Sequence, residues 1–532
     1  MEPRGVVCMK KNNDKRTSFA GRRFEAAALN AGRRYPGVAK ICAALLFLFA
    51  AGSPAASLIR VSPSTVIQPT ENTPENQGPN SSNRVLPGER PTRKSYIIPA
   101  LEIPAFIITL NRYDQLAYGP GEYGVSYGSI RDHIYKGPWV VDQDSFEMNQ
   151  VGHPYSGSIY YGFARSAGLS YWESLLYSNA GSLIWELAGE TTDPSINDQV
   201  ATGVAGSFAG EELFRLSNLL LEEGGKHPAA WRRIAAGLIS PPTALNRYIF
   251  GDRYGPVLES RQPALYSRLQ LGVVNNADIT VPGSVSILSR TPSYGNFTLN
   301  YGFPGKPAYL YNRPFDYFDF EVDSINENIG EFTSVMMRGL LFGVPYEAGD
   351  NYRGVWGLYG TFDNLSPQVY RLSTTAGSFG TTGQWWLSKR VALQGTALAG
   401  LGFGAAGTIV PDSSEADFHY GVTPQELLSL RLIMGRRVMI DVSGRNYYIT
   451  GAGAANAPGV ERIQYVSSSL AVRIYGHHAV SIGYLLSNRS ARYSVDLPDR
   501  NQFVRTVTFT YNLLGQPNFG AVEWRDDAPD DL

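Results

Sequence analysis

Cysteine is almost missing from this chain. Its 532 residues hold two, Cys8 and Cys42. Both precede residue 56, so the remainder has neither disulfides nor thiolate metal sites. Charge is scarce as well. Charged residues make up 17% of the chain, against roughly a quarter in ordinary soluble domains. Lys and Arg number 46 and Asp and Glu 47, a net charge of −1. That balance leaves no basic footprint for a nucleic acid. No segment approaches the ~20 uninterrupted apolar residues of a membrane helix. Tyrosine and glycine are plentiful instead, at 32 and 56. A charge-poor, Tyr- and Gly-rich chain fits many half-exposed strands better than a helical enzyme.

The first 56 residues read as a secretory signal peptide. Met1 to Lys40 is basic, "ICAALLFLFAA" (Ile41–Ala51) is an apolar run, and "GSPAAS" supplies small residues for cleavage after Ala55 or Ala56. Residues 57–95 are rich in Pro, Asn, Ser and Thr and are expected to form a disordered linker. In 96–157, Pro99 and Pro104 argue for short extended pieces rather than a helix, leading into a polar loop.

Residues 158–260 carry helical periodicity and are expected to form three or four helices. Ser170 with Glu173 has the capping-box spacing. Ser195 and Asp198 repeat it, Gly224-Gly225 ends a helix, and Pro228 starts another. Gly203, Gly206 and Gly210 form a stripe suited to close helix contact. From 261 to 515 the period becomes two. Phe318, Phe320 and Val322 alternate with Asp319, Glu321 and Asp323. Val507, Phe509 and Tyr511 alternate with Thr506, Thr508 and Thr510. Repeated segments with one apolar and one small polar face are the signature of a transmembrane β-barrel. The fold expected is therefore mostly β with an α-helical block: an antiparallel barrel of about twelve strands (ten to fourteen), with the helices as an N-terminal plug or cap. A soluble β-sandwich or propeller is the competing fold. An acidic tail, 516–532, follows the last strand.

Candidate chemistry centres on "VVDQDSFEMNQVGHPYSG" (Val140–Gly157). It gathers Asp142, Asp144, Asn149, Gln150 and His153. Asn179, Ser182, Glu186 and Glu190 share one helix face, and Ser207, Glu211, Arg215 and Asn218 another. In the catalytic reading His153 is a general base oriented by Glu186 or Glu190, with Asp198 beside it and Ser156 or Ser182 as nucleophile. Asp142, Asp144, Asn149, Gln150, Glu211 and Arg215 would bind. A metal held by His153, Glu186, Glu190 and Asp198 matches no known motif, so neither metal nor cofactor is assigned. The competing reading is a polar latch: Glu211–Arg215 as an i,i+4 pair, the aspartates and Asn149 as turn formers and caps. Two smaller features are read structurally. Gly124-Val125-Ser126-Tyr127-Gly128 matches the nucleophile-elbow pattern without its strand and helix context. Asp319, Glu321 and Asp323 should point together into a lumen.

"DQDSFEMNQVGHPYSGSIYYGFARSAG", "GSLIWELAGETTDPSINDQ" and "RPFDYF" resemble an uncharacterised bacterial family, domain of unknown function 3943, over roughly Ile98 to Leu513. The resemblance implies an exported, outer-membrane protein with no known activity. It also implies that Asp142, Asn149, His153, Glu186, Glu190, Ser195 and Asp198 are family positions. The functions expected are a structural or transport-related barrel of the outer membrane, a membrane-located hydrolase of lipid or lipopolysaccharide, or a soluble periplasmic binding protein. The partners expected are outer-membrane lipid and the barrel assembly machinery, with no nucleic acid. Any small-molecule ligand stays unnamed.

Overall fold

The computed structural model describes residues 94–524, apart from positions 143, 225–227, 252–259, 261, 281–291, 307, 327–332, 368, 409–417, 452–458 and 494–498. The expected signal peptide, most of the expected linker and the last eight residues lie outside the described residues.

Twelve antiparallel strands close into a barrel, as the period-two segments predict. They are β1 (Leu265–Thr280), β2 (Ser293–Tyr301), β3 (Phe318–Asn326), β4 (Ser334–Ala348), β5 (Tyr352–Leu365), β6 (Tyr370–Ser388), β7 (Val391–Thr408), β8 (Phe418–Met434), β9 (Val438–Ile449), β10 (Gly459–Tyr475), β11 (His478–Tyr493) and β12 (Arg500–Leu514). Each pairs with its sequence neighbours, and β1 pairs with β12 to remove both edges. Short turns join β4–β5, β6–β7, β8–β9 and β10–β11 at one end, here the hairpin end. Gly435 and Gly476 sit there at φ 55° and 49°, a left-handed conformation that glycine adopts without strain. The opposite end is the loop end.

Bonds across the barrel fix which side chains point inward. Arg268 of β1 meets Asp441 of β9 at 3.5 Å, and Arg431 of β8 meets Asn300 of β2 at 2.5 Å. Asp319, Glu321 and Asp323 share this inner face, as their spacing predicts. Their outward neighbours are apolar. Val472, Ile482 and Phe509 are exposed on the outer wall. Apolar outside and polar inside is the pattern of a transmembrane barrel.

The lumen is layered. At the loop end Tyr370, Ile449, Ile463 and Val504 form an apolar layer. The charged layer lies below it. At the hairpin end Tyr266, Leu340, Ile433 and Met439 pack with Tyr309, Tyr311 and Tyr317 of the β2–β3 connection and with Phe519, Ala521 and Val522. Those last three belong to the chain after β12. It turns back into the lumen, where Trp386 Nε1 donates to the Glu523 carbonyl at 3.2 Å and Arg473 to that of Pro517 at 2.8 Å. Residues 515–524 are thus an internal stopper, though the sequence places them in a tail beyond the fold.

The helical part begins earlier than its periodicity suggests. Among the described residues the α segments are α1 (Ile97–Tyr118), α2 (Pro120–Tyr123), α3 (Tyr127–Tyr135), α4 (His153–Ser166), α5 (Tyr171–Ala188), α6 (Ile196–Asp198), α7 (Gly206–Glu222), α8 (Ala230–Ile239) and α9 (Pro241–Phe250). π-helical turns at Met148–Gly152 and Gln199–Ala205 run into α4 and α7. The extended reading of 96–157 fails at α1. Pro99 lies in its first turn, where an N–H has no helical acceptor to lose. Pro104 does lose a bond, but Ile103 and Ile107 bury against Ile159, Tyr160, Phe163 and Trp185. Packing outweighs propensity here.

The helices are not a plug. Phe208 of α7 lies against Gly360, and its cluster includes Phe297, Leu299, Phe318, Val322, Met337 and Phe362. These alternate with the inward-facing Thr298, Asp319, Glu321, Arg338, Thr361 and Asp363, so they are outer-wall residues. Phe146 meets Phe418 on the same face. The returning tail occupies the hairpin end of the lumen, and inward side chains such as Arg268, Asp319, Arg431 and Arg445 line a cavity in its middle. The bundle therefore buries its apolar stripe against the outside of β2–β8.

Candidate functional site

His153 opens α4 directly after the first π turn, and Asp198 closes α6 directly before the second. Such turns put one extra residue into a helix and recur at functional sites. Here they bring the two side chains together. His153 Nε2 lies 3.6 Å from Asp198 Oδ1, and Nδ1 lies 3.0 Å from Thr202 Oγ1. The orienting glutamate expected from the sequence is absent from this contact; its place is taken by Asp198 and Thr202.

Glu186 is fully buried at the other side of Ser195. Its Oε2 accepts the Ser195 N–H at 2.7 Å. Ser195 Oγ in turn accepts the Asp198 N–H at 3.1 Å, the cap that the Ser195–Asp198 spacing predicts. Glu186 and Asp198 are thus both buried and tied to the Ser195 turn by backbone bonds.

Asn197 connects the cluster to both the entry loop and the barrel. Its Oδ1 accepts the Asp142 N–H at 2.7 Å, and its Nδ2 donates to Asp198 and, at 3.1 Å, to the Tyr420 hydroxyl on the outer wall of β8. Gln150 donates to the same hydroxyl at 3.2 Å, and its carbonyl accepts from Asn364 of β5 at 3.2 Å. Asn149 is buried beside it. Asp142 receives the Asp144 N–H at 2.9 Å, while the Asp144 side chain is exposed. Among the described residues no three of His, Asp and Glu are placed to hold a metal ion.

Glu211 and Arg215 belong to a different network. Their i,i+4 bond of 2.8 Å is the predicted one. Glu211 also takes Arg165 at 2.8 Å and the Tyr161 hydroxyl at 2.7 Å, and Arg215 reaches Asp316 of the β2–β3 connection at 3.2 Å. This buried chain of charges joins α4, α7 and the barrel. The two polar stripes therefore do not converge. The first serves the His153 region and the second serves the barrel junction. Ser126 caps α3 in a reciprocal box with Ser129, which accounts for the elbow-like match.

Asn197, Thr202, Tyr420, Arg165 and Asp316 escaped the sequence reading. Ser195 and Asp198 carry a capping signal that hints at Asn197 between them. Tyr420 lies 223 residues beyond Asn197 and looks like any outward strand tyrosine.

Residues 138–242 match the family model for a domain of unknown function, DUF3943. The DUF3943 segment runs from the entry loop to the start of α9 and contains every residue of both networks except Tyr420, Asn364 and Asp316. It is narrower than the span the sequence resemblance suggests. No curated protein matches the chain. Solved structures with similarity include the NanC porin, at 10% identity and a TM-score of 0.23, covering 46% of this chain and 98% of that one. The toluene transporter TodX of Pseudomonas putida gives 10% and 0.21, covering 47% and 89%. The outer membrane protease OmpT of Escherichia coli gives 9% and 0.17, covering 47% and 96%. The barrel assignment rests on the strand pairing of this chain, not on those likenesses.

Proposed function

We propose that the chain is an outer-membrane β-barrel of a Gram-negative envelope, with a structural role there, or a transport role gated by its own tail. The observation that carries this reading is the closed twelve-strand barrel with an apolar outer wall and a charged lumen. Such a wall is unstable in water and stable in lipid. The closed hairpin end favours the structural role, since passage requires the returning tail to leave. We assign the His153–Asp198–Asn197–Tyr420 cluster as a latch that fixes the entry loop to the barrel, because its inner members are committed to capping and bridging bonds. The hydroxyl beside His153 is that of Thr202, and its burial leaves a hydrolase substrate no approach to it. The test is sucrose-gradient fractionation of envelopes. Co-sedimentation with outer-membrane lipopolysaccharide supports the proposal; recovery in the soluble periplasmic fraction contradicts it. Expected partners are lipid and the barrel assembly machinery.

A further inference from the structure

Among the described residues no helix is long and apolar enough to cross a membrane on its own. The outward faces of α5 and of the first three turns of α1 are nonetheless apolar, while α3 exposes Arg131 and Asp132. On α5 the exposed side chains are Trp172, Leu176, Ala180, Leu183 and Ile184, at helical spacing and without a charge. On α1, Ile97, Leu101, Ala105 and Ile108 form a second exposed stripe. Trp231, Ile234 and Leu245 are exposed on α8 and α9, with Arg233 among them. A soluble bundle turns such residues inward.

The interior combines the Ile103–Trp185 apolar cluster with polar side chains: Ser178, Ser182, Glu186, Ser207, Glu211 and Arg215 are buried. Ser178 donates to the Gly157 carbonyl at 3.0 Å, and Asn246 to that of Phe163 at 3.3 Å. Backbones meet at small residues. A Cβ on Gly157 would overlap the Thr202 carbonyl, and one on Gly206 would crowd Gly157. Small residues at contacts and hydroxyl or amide bonds between helices are how helices pack where lipid, not water, surrounds them.

Placement agrees. The bundle touches Tyr301 and Phe318 of β2 and β3 and Phe418 and Tyr420 at the loop end of β8, and it leaves Val344, Trp356 and Phe379 exposed on the hairpin side of the wall. Its apolar surface is continuous with the barrel's. Trp172 of α5 stacks on Phe342 of β4 at 5.1 Å and 15°, and Phe342 is itself an outward residue, 58% exposed.

We infer that the outer face of the helical bundle is a lipid-contact surface. The barrel and bundle together present one apolar perimeter to acyl chains, and the polar networks lie between helices and wall. The inference rests on the membrane reading of the barrel, and its test separates the two.

The full chain with Cys8→Ser and Cys42→Ser offers a thiol-free background. Single substitutions Leu176→Cys, Leu183→Cys and Ile108→Cys place a spin label on the bundle. Val472→Cys places one on the free barrel wall, and Asp350→Cys one on a hairpin turn. All five positions are exposed, so labels displace no core. After reconstitution in phosphatidylcholine vesicles, power saturation is measured with oxygen and with a water-soluble nickel chelate. The inference predicts nickel accessibility at the three bundle sites close to that at Val472 and about tenfold below that at Asp350, because water is excluded from the hydrocarbon. Bundle sites that follow Asp350 while Val472 stays protected overturn the inference and leave the barrel reading standing. A Val472 label open to nickel overturns both.

Discussion

Glu211 illustrates what burial asks of a single carboxyl. It is held by Arg165 and Arg215, so Glu211→Ala leaves Arg165 buried without a carboxylate, while Arg215 keeps Asp316, and should cost about 3–5 kcal/mol, read as a drop in thermal midpoint. The i,i+4 pair was legible from spacing alone. Arg165 lies 46 residues from Glu211 and Asp316 lies 101 from Arg215, and no local pattern announces contacts at that range.

At the scale of elements, period was the reliable signal and proline the misleading one. Alternation located the strands and their inward faces, since side chains of a strand must alternate. Capping residues mark the starts of α3, α5 and α6 unevenly: Ser170 with Glu173 is a readable box, while Ser126 with Ser129 sits in a Gly- and Tyr-rich stretch without a helix signal. The π turns had no signature at all, although they place both His153 and Asp198. Close packing gives a sharper test. Gly157 of α4 touches Thr202 and Gly206 with no room for a methyl group. Gly157→Ala should force the helices apart at a cost of about 1–3 kcal/mol and make α4 and α7 more accessible to trypsin. Cleavage rates unchanged from the parent chain would show that the contact yields without loss.

At the scale of the molecule, the sequence foretold a barrel and a helical block but not their arrangement. Outward strand residues look alike whether lipid or a helix covers them, so Phe318 and Phe509 are indistinguishable on the page. The returning tail was equally hidden, because Phe519, Ala521 and Val522 are too few to mark a core segment. That tail predicts a conductance experiment. Deletion of residues 516–532 removes the stopper from the hairpin end, and the truncated protein should show larger channel currents in planar bilayers than the parent. Equal currents would mean that the remaining lumen side chains close the barrel unaided. The central claim is a closed barrel that is stable in lipid, and the migration of the purified, detergent-solubilised protein on gels before and after boiling tests it most directly. A closed barrel that resists the detergent runs faster unboiled and slows on heating; one heat-independent position, from a chain that stays soluble without detergent, would contradict it.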